Sequence, residues 1–219
     1  FNYNKDFGVH HVDAMAGHEF NKFFQEVLNY NSAYELIPGF VAFANFVGRY
    51  TGGTFSSPGG GETKNAMESY FGRANYIYND KYFASVSLRR DGSSKFKYAS
   101  NRWGTFWSVG GGWRISNESF MESTKKWLDN LKFRADYGII GNQSGIGNYS
   151  GYQTWGYGAI YSSTTAGNGI PANFTLSKGG YVNDGLTWEN IHTFDVGFDF
   201  SILNTVHGTF DFYNKNTVN

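Results

Sequence analysis

The sequence predicts an all-β protein, an antiparallel transmembrane β-barrel segment of about eight strands. Three observations carry that prediction. Apolar and polar residues alternate with period two through much of the chain. The apolar members end in Tyr or Trp near turns. Tight connections alternate with very long ones. Period two places successive side chains on opposite faces of a strand. Aromatic strand ends, with short turns on one side and large loops on the other, mark sheets that cross a bilayer.

The strands follow in order. A short piece covers residues 1–6. In residues 9–20, Val12, Ala14, Ala16 and Phe20 alternate with His11, Asp13, Met15 and Glu19. In residues 67–78, Tyr70, Gly72, Ala74, Tyr76 and Tyr78 alternate with Ser69, Phe71, Arg73 and Asn75. Residues 81–90 set Tyr82, Ala84, Val86 and Leu88 against Ser85, Ser87 and Arg89. Residues 103–115 set Trp107, Val109, Gly111, Trp113 and Ile115 against Ser108, Gly110, Gly112 and Arg114. In residues 131–139, Leu131, Phe133, Ala135, Tyr137 and Ile139 oppose Lys132, Arg134, Asp136 and Gly138. Two last strands set Phe194, Val196, Phe198 and Phe200 against Asp195, Gly197 and Asp199, then Val206, Gly208, Phe210 and Phe212 against His207, Thr209, Asp211 and Tyr213.

A soluble sandwich shares this alternation, so the connections discriminate. Residues 5–8, 79–81 and 201–205 are tight connections, whereas 21–64, 91–102 and 141–185 are long. Tyr76, Tyr78 and Tyr82 flank the Asn79-Asp80 turn as an interfacial girdle would. Residues 116–129 fall on the tight side but read as a helical turn, with Ser116 as N-cap and Glu118 or Ser119 in its first turn. A structureless stretch as long as 141–180 is functional or disordered.

Composition excludes other classes. The chain has 219 residues, 20% aromatic, with 29 glycines, three prolines and no cysteine. Its formal net charge is zero, so no basic surplus points to nucleic acid. Without cysteine there is neither a disulfide scaffold nor a thiolate metal site. The most apolar stretch, residues 37–47, is interrupted by Pro38, Gly39 and Asn45 and falls short of the roughly 18 residues a membrane helix needs. The chain starts at Phe1 and stops within a strand-like pattern at Thr217-Val218-Asn219, and is expected to be an internal stretch of a longer chain.

The run Arg89-Arg90-Asp91-Gly92-Ser93-Ser94-Lys95-Phe96 begins an ordered series of motifs. It continues through Asn101-Arg102-Trp103-Gly104, Gly112-Trp113-Arg114-Ile115-Ser116, Leu131-Lys132-Phe133-Arg134, Gly141-Asn142, Leu186-Thr187-Trp188-Glu189, Val196-Gly197-Phe198-Asp199-Phe200 and Asp211-Phe212-Tyr213-Asn214-Lys215. Over roughly residues 65–216 this series resembles the barrel of SusC-like TonB-dependent transporters. Trp107 departs from the family's usual proline. The resemblance implies a 22-stranded outer-membrane barrel of a Gram-negative bacterium, with residues 1–219 in the barrel domain and the plug and TonB-contacting segment absent from this chain. It also implies a SusD-like lipoprotein lid, powering by TonB, ExbB and ExbD, and a glycan or peptide cargo.

The candidate chemistry is binding, not catalysis. Arg90 and Asp91 are candidate ligand contacts, and a strand-end ion pair ordering the Asp91-Gly92 turn is the bland reading. Asp195, Asp199 and Asp211 face a wet interior, where they would bind a cation or sugar or pair with Arg and Lys. In the longest loop Tyr149, Tyr152, Trp155, Tyr157 and Tyr161 offer rings on which sugars stack; among them Tyr152, Trp155 and Tyr157 are the candidates, against self-packing or lid contact. The five histidines lack metal-ligand spacing, and His10 and His11 point to opposite faces. No nucleophile elbow stands out, Gly145-Ile146-Gly147 does not continue into a dinucleotide pattern, and no cofactor is expected. The alternatives from other classes are a secreted all-β carbohydrate-binding module and a small structural outer-membrane barrel.

Overall fold

The computed structural model describes residues 1–29, 59–160 and 173–218, with backbone alone at 34–35, 46–47, 49–51, 54–56, 59, 156–160 and 173–177. Two compact units result, Phe1–Phe20 with Met67–Asn219, and Asn21–Ala66. The apolar stretch 37–47 falls largely outside the described residues.

Eight strands form one sheet: β1 (Asn2–Phe7), β2 (His10–Asn29), β3 (Gly59–Tyr78), β4 (Tyr82–Ser93), β5 (Trp103–Arg114), β6 (Leu128–Asn142), β7 (Glu189–Ile202) and β8 (Val206–Val218). Each pairs with the next in sequence. Every expected strand is present, and several run longer than the alternation foretold. Both β2 and β3 have 20 residues, roughly 65 Å of extended chain, where about 9–11 residues span a bilayer. Beyond the apolar band neither face must be apolar, so the period-two signal fades while backbone pairing continues.

The tight turns have a backbone reason. Asn79 and Asp80 both adopt positive φ, as do Leu203 and Asn204. Lys81 N donates to Tyr78 O at 3.0 Å, and Thr205 N to Ile202 O at 3.1 Å, which closes two hairpin turns whose twist matches the strands. Leucine is unusual at positive φ. Leu203 is held there because its N–H donates to Trp127 O at 2.9 Å, while Asn204 N donates to the Asp129 carboxylate at 2.6 Å.

The β5–β6 connection corrects one expectation. It contains two 3₁₀ turns, Ile115–Asn117 and Ser119–Thr124, and Ser116 lies inside the first, not at an N-cap. Its hydroxyl is buried without a hydrogen-bond partner among the described residues. Glu118 stands at the cap position, but its carboxylate turns back to the sheet. It accepts from Tyr82 OH at 2.7 Å, Lys81 Nζ at 3.0 Å and Trp113 Nε1 at 3.0 Å. These donors, the Tyr82 hydroxyl foremost, hold the Glu118 carboxyl at about 2 against an ordinary 4.5. Lys81 in the turn, Tyr82 of β4 and Trp113 of β5 outcompete the free N–H groups of a short turn.

Cross-strand register sharpens the face assignment. Tyr78, Tyr82, Trp113, Phe133, Phe198 and Phe210 lie directly opposite one another from β3 to β8, a continuous aromatic row beside the tight turns. The parallel row above it reads Ala74, Val86, Val109, Tyr137 and Phe194. Nothing among the described residues covers this face: Val86 is 52% exposed and Leu88 56%. A water-soluble sandwich would bury such a surface. Among the described residues, the buried apolar cluster is instead Phe96, Phe106 and Trp188, beside the long loops.

The face assignment and the Glu118 cluster can each be tested. A lysine at Val86 should weaken membrane assembly by about 2–4 kcal/mol, as for a mid-bilayer charge, and Ser87→Lys should be tolerated; equal damage in a vesicle-insertion assay would refute the faces. The depressed Glu118 carboxyl stabilises the folded state above its ordinary pKa, and that contribution is lost as pH falls. The gap in unfolding midpoint between the native protein and Glu118→Gln should therefore hold steady at neutral pH and close between 4.5 and about 2.

Candidate functional site

The inner face is polar and punctuated by glycine. Its rows, each directly opposed, read Arg73, Ser87, Ser108, Gly138 and Thr193, then Asn75, Ser85, Gly110, Asp136 and Asp195. The Ser87 and Ser108 hydroxyls bond across the sheet at 2.6 Å. A third row places Gly197 between Arg134 and Asp211. Because Gly197 has no side chain, the Arg134 guanidinium crosses β7 and bonds the Asp211 carboxylate. A Cβ at Gly197 would stand 3.3 Å from Arg134 Nη2 and 2.6 Å from Phe210 O. Arg134 also reaches Asp195 at 3.8 Å and Asp199 at 3.5 Å.

Gly112 has a similar role, nearer the turns. Lys132 passes over it, with its Nζ 4.1 Å from the centre of the Phe83 ring. The Gly112 Cβ position is 3.1 Å from Lys132 Cε, tighter than a side chain accepts without displacement. The result is a shallow wall concavity of about 430 Å³ bordered by Asn75, Phe83, Ser85, Lys132, Arg134 and Asp136. A second, of about 580 Å³, opens above it between Met67, Arg89, Phe106, Asp136, Ile140 and Asp195. Polar walls of this kind line wet interiors. Among the described residues no group of His, Asp and Glu has the arrangement to hold a metal ion.

At the long-loop end, the Asp91-Gly92-Ser93-Ser94-Lys95-Phe96 run folds back under the connection from β6 to β7. Phe96 is fully buried, its ring 5.3 Å from that of Trp188, and Trp188 is 5.4 Å from Phe106 in an edge-on contact. Polar bonds hold the two loops together. Trp188 Nε1 donates to Arg102 O at 3.0 Å, Thr187 Oγ1 to Asn101 O at 3.2 Å, and Ser93 Oγ to Gln143 Oε1 at 2.5 Å. Gly151 lets that loop approach closely: its Cβ position is 3.2 Å from Lys95 O.

The five candidate residues separate. Asp91 is buried and pairs with Arg89, whose Nε bonds its two carboxylate oxygens at 2.7 and 3.0 Å. Arg89 extends to Ser69 Oγ at 2.9 Å and to Glu19 at 3.7 Å. Arg90 points to the opposite face and stacks on Trp103, 5.4 Å from the ring centre. Tyr152 is partly buried and donates its hydroxyl to Ser94 O at 3.2 Å, so it braces the folded-back loop. Trp155 is 63% exposed at the start of a hairpin between Trp155–Ile160 and Asn173–Lys178. The side chain of Tyr157 and the whole of Tyr161 lie outside the described residues.

Sequence reading identified the three inner aspartates but not Arg134 as their shared partner. Some signal was there, since Arg134 sits on the polar set of its strand, but its place opposite Gly197 needs the register. Replacing Arg134 with Met should leave three carboxylates facing one another. We expect a lower urea-unfolding midpoint in lipid vesicles, equivalent to about 1–2 kcal/mol for a half-exposed group. Gly197→Ala should reproduce some of the loss; unchanged midpoints for both would dissolve the arrangement.

No family model matches the chain. It is 35% identical over 205 residues to a TonB-dependent receptor of Formosa agariphila, covering 93% of this chain and 18% of that relative. Over 156 residues it is 34% identical to the TonB-dependent receptor SusC of Bacteroides thetaiotaomicron, covering 71% of this chain and 15% of SusC. Among solved structures, the RagAB peptide importer in its closed-closed state superposes with a TM-score of 0.79 at 28% identity, over 99% of this chain and 22% of that one. The chain therefore spans less than a quarter of the length of each of these proteins. They are receptors and importers, not enzymes.

Proposed function

Because this chain is a stretch of the β-barrel of a SusC-like TonB-dependent transporter in the outer membrane, we propose that it forms barrel wall and extracellular loops in an active nutrient importer. The observation that carries this reading is the joint agreement of sequence and fold along nearly the whole chain with such receptors. In this proposal residues 1–219 belong to the barrel domain of a 22-stranded parent, whose plug and TonB-contacting segment lie elsewhere in that parent. TonB, ExbB and ExbD supply the energy, and a SusD-like lipoprotein covers the extracellular mouth.

The tight turns then face the periplasm and the long loops face outward. The aromatic row from Tyr78 to Phe210 rests at the periplasmic lipid interface, and the apolar rows above it meet acyl chains. Inside, the Arg134 and Arg89 clusters keep the wall polar and ordered beside the plug. Cargo is a glycan or a peptide. The SusC relationship and the RagAB peptide importer are both compatible with that pair of classes.

Among the five candidates, Trp155 is the residue best placed to touch cargo or lid, because its side chain is 63% exposed. Tyr152 serves the loop itself. In the full transporter, Trp155→Ala should lower cargo uptake with the assembled barrel intact, by roughly tenfold if one ring stacks on cargo. Tyr152→Phe, which loses only the hydroxyl, should change uptake little but lower protection of residues 91–102 from protease. Loss of import on deleting the parent gene tests the transport reading; import that persists without TonB would overturn it.

A further inference from the structure

The adjacent arginines Arg89 and Arg90 are divided between the two faces, and only Arg89 has carboxylate partners among the described residues. Arg90 lies on the outward face, directly opposite Tyr70 on β3 and Thr105 on β5. Its guanidinium stacks on Trp103, whose ring is 6.2 Å from that of Tyr70, and His18 packs on Tyr70 at 4.6 Å. The outward carboxylate on this rim, Glu68, is already engaged by the Tyr70 hydroxyl at 2.7 Å and His18 Nε2 at 3.1 Å. Among the described residues Arg90 makes no ion pair and no side-chain hydrogen bond.

Its height matters as much as its charge. From the aromatic row at Tyr82, β4 climbs through Ala84, Val86 and Leu88 to Arg90. At about 3.4 Å per residue and a tilt near 40°, that climb is roughly 20 Å, close to the height of the outward apolar band of such barrels. Tyr70, Trp103 and His18 thus form the second, extracellular-side girdle, and Arg90 is the cation set in it. A planar guanidinium fork fits phosphate oxygens in pairs. A soluble anion gains little from one exposed arginine. A lipid is held at that height by its own chains against Leu88 and Trp103.

We propose that Arg90, backed by Trp103, binds the phosphate of an outer-leaflet lipid on the barrel exterior. This rests on the reading of the outward face as lipid-facing. The site takes an anionic, phosphate-bearing lipid and not cargo, which reassigns Arg90 from the transport path to the transporter's lipid contacts.

The test uses the whole transporter in a phosphate-free detergent, titrated with lipid A and followed by native mass spectrometry. Arg90→Gln should lower occupancy about tenfold, the worth of one charged hydrogen-bond pair, and Arg90→Lys less so. Lys126→Gln, a cation on the tight-turn end, should leave it unchanged. The native protein titrated with lipid A stripped of its phosphates should show the same loss, which keeps the test open if Arg90→Gln fails to assemble. Equal occupancy for the native protein and Arg90→Gln, or for the two lipid forms, would overturn the proposal. So would displacement by inorganic phosphate, which would identify a soluble-anion site. A barrel missing from the outer membrane would instead sink the reading beneath it; an inserted barrel indifferent to lipid phosphate sinks only this one.

Discussion

A backbone crossing a bilayer has no water to satisfy its N–H and C=O groups, so each must find a partner within the protein. That constraint organises this chain. Eight strands pair with their sequence neighbours without a crossover, and the pairings run unbroken from Tyr78 opposite Tyr82 to Phe198 opposite Phe210. Up-and-down connectivity in turn demands hairpins on both rims. At one rim they shrink to turns that force Asn79, Asp80, Leu203 and Asn204 into positive φ. Apolar burial contributes little. The side chains that a soluble sheet would hide are the exposed ones here, while the buried cluster joins Phe106 of β5 to Phe96 and Trp188 of the long connections.

The two faces solve different problems. Outward residues need only be apolar at mid-height and aromatic at the rims. Inward residues carry charge and must reach partners across the sheet, where adjacent strands stand about 4.8 Å apart. Glycine makes that reach possible. Gly197 lets Arg134 meet Asp211 two strands away, and Gly112 lets Lys132 lie against Phe83. Glycines such as these have a packing role on the inner wall and are not simply marks of loops.

This division explains what was legible in the sequence. Alternation exposes a strand wherever one face must be apolar, so all eight strands and the short turns could be read directly. It goes silent where a strand leaves the apolar band, which is why the far halves of β2 and β3 read as loop. Ser116 read as a cap because serine before an acidic residue has that local signature, yet Glu118 is claimed by Tyr82, Lys81 and Trp113. The candidate site was harder still. Asp91 and Arg90 are neighbours in sequence and opposites in space, and only the register and the far partner Trp188 show what the Arg-Asp-Gly-Ser-Ser-Lys-Phe run does.

That run is a fastening more than a surface. Its charged start anchors the inner wall through Arg89 and Asp91, its glycine lies under Trp103, and its phenylalanine is clamped by Trp188 from far along the chain. Asn101, Thr187 and Arg102 close the same junction with backbone-directed hydrogen bonds. A loop fastened at its base can present Trp155 while that base stays fixed to the wall. Arg90 stands between Arg89 and Asp91 in sequence but on the outer face, where it stacks on Trp103 and takes no part in that fastening, and this is why its unmatched charge points to the membrane rather than to the cargo.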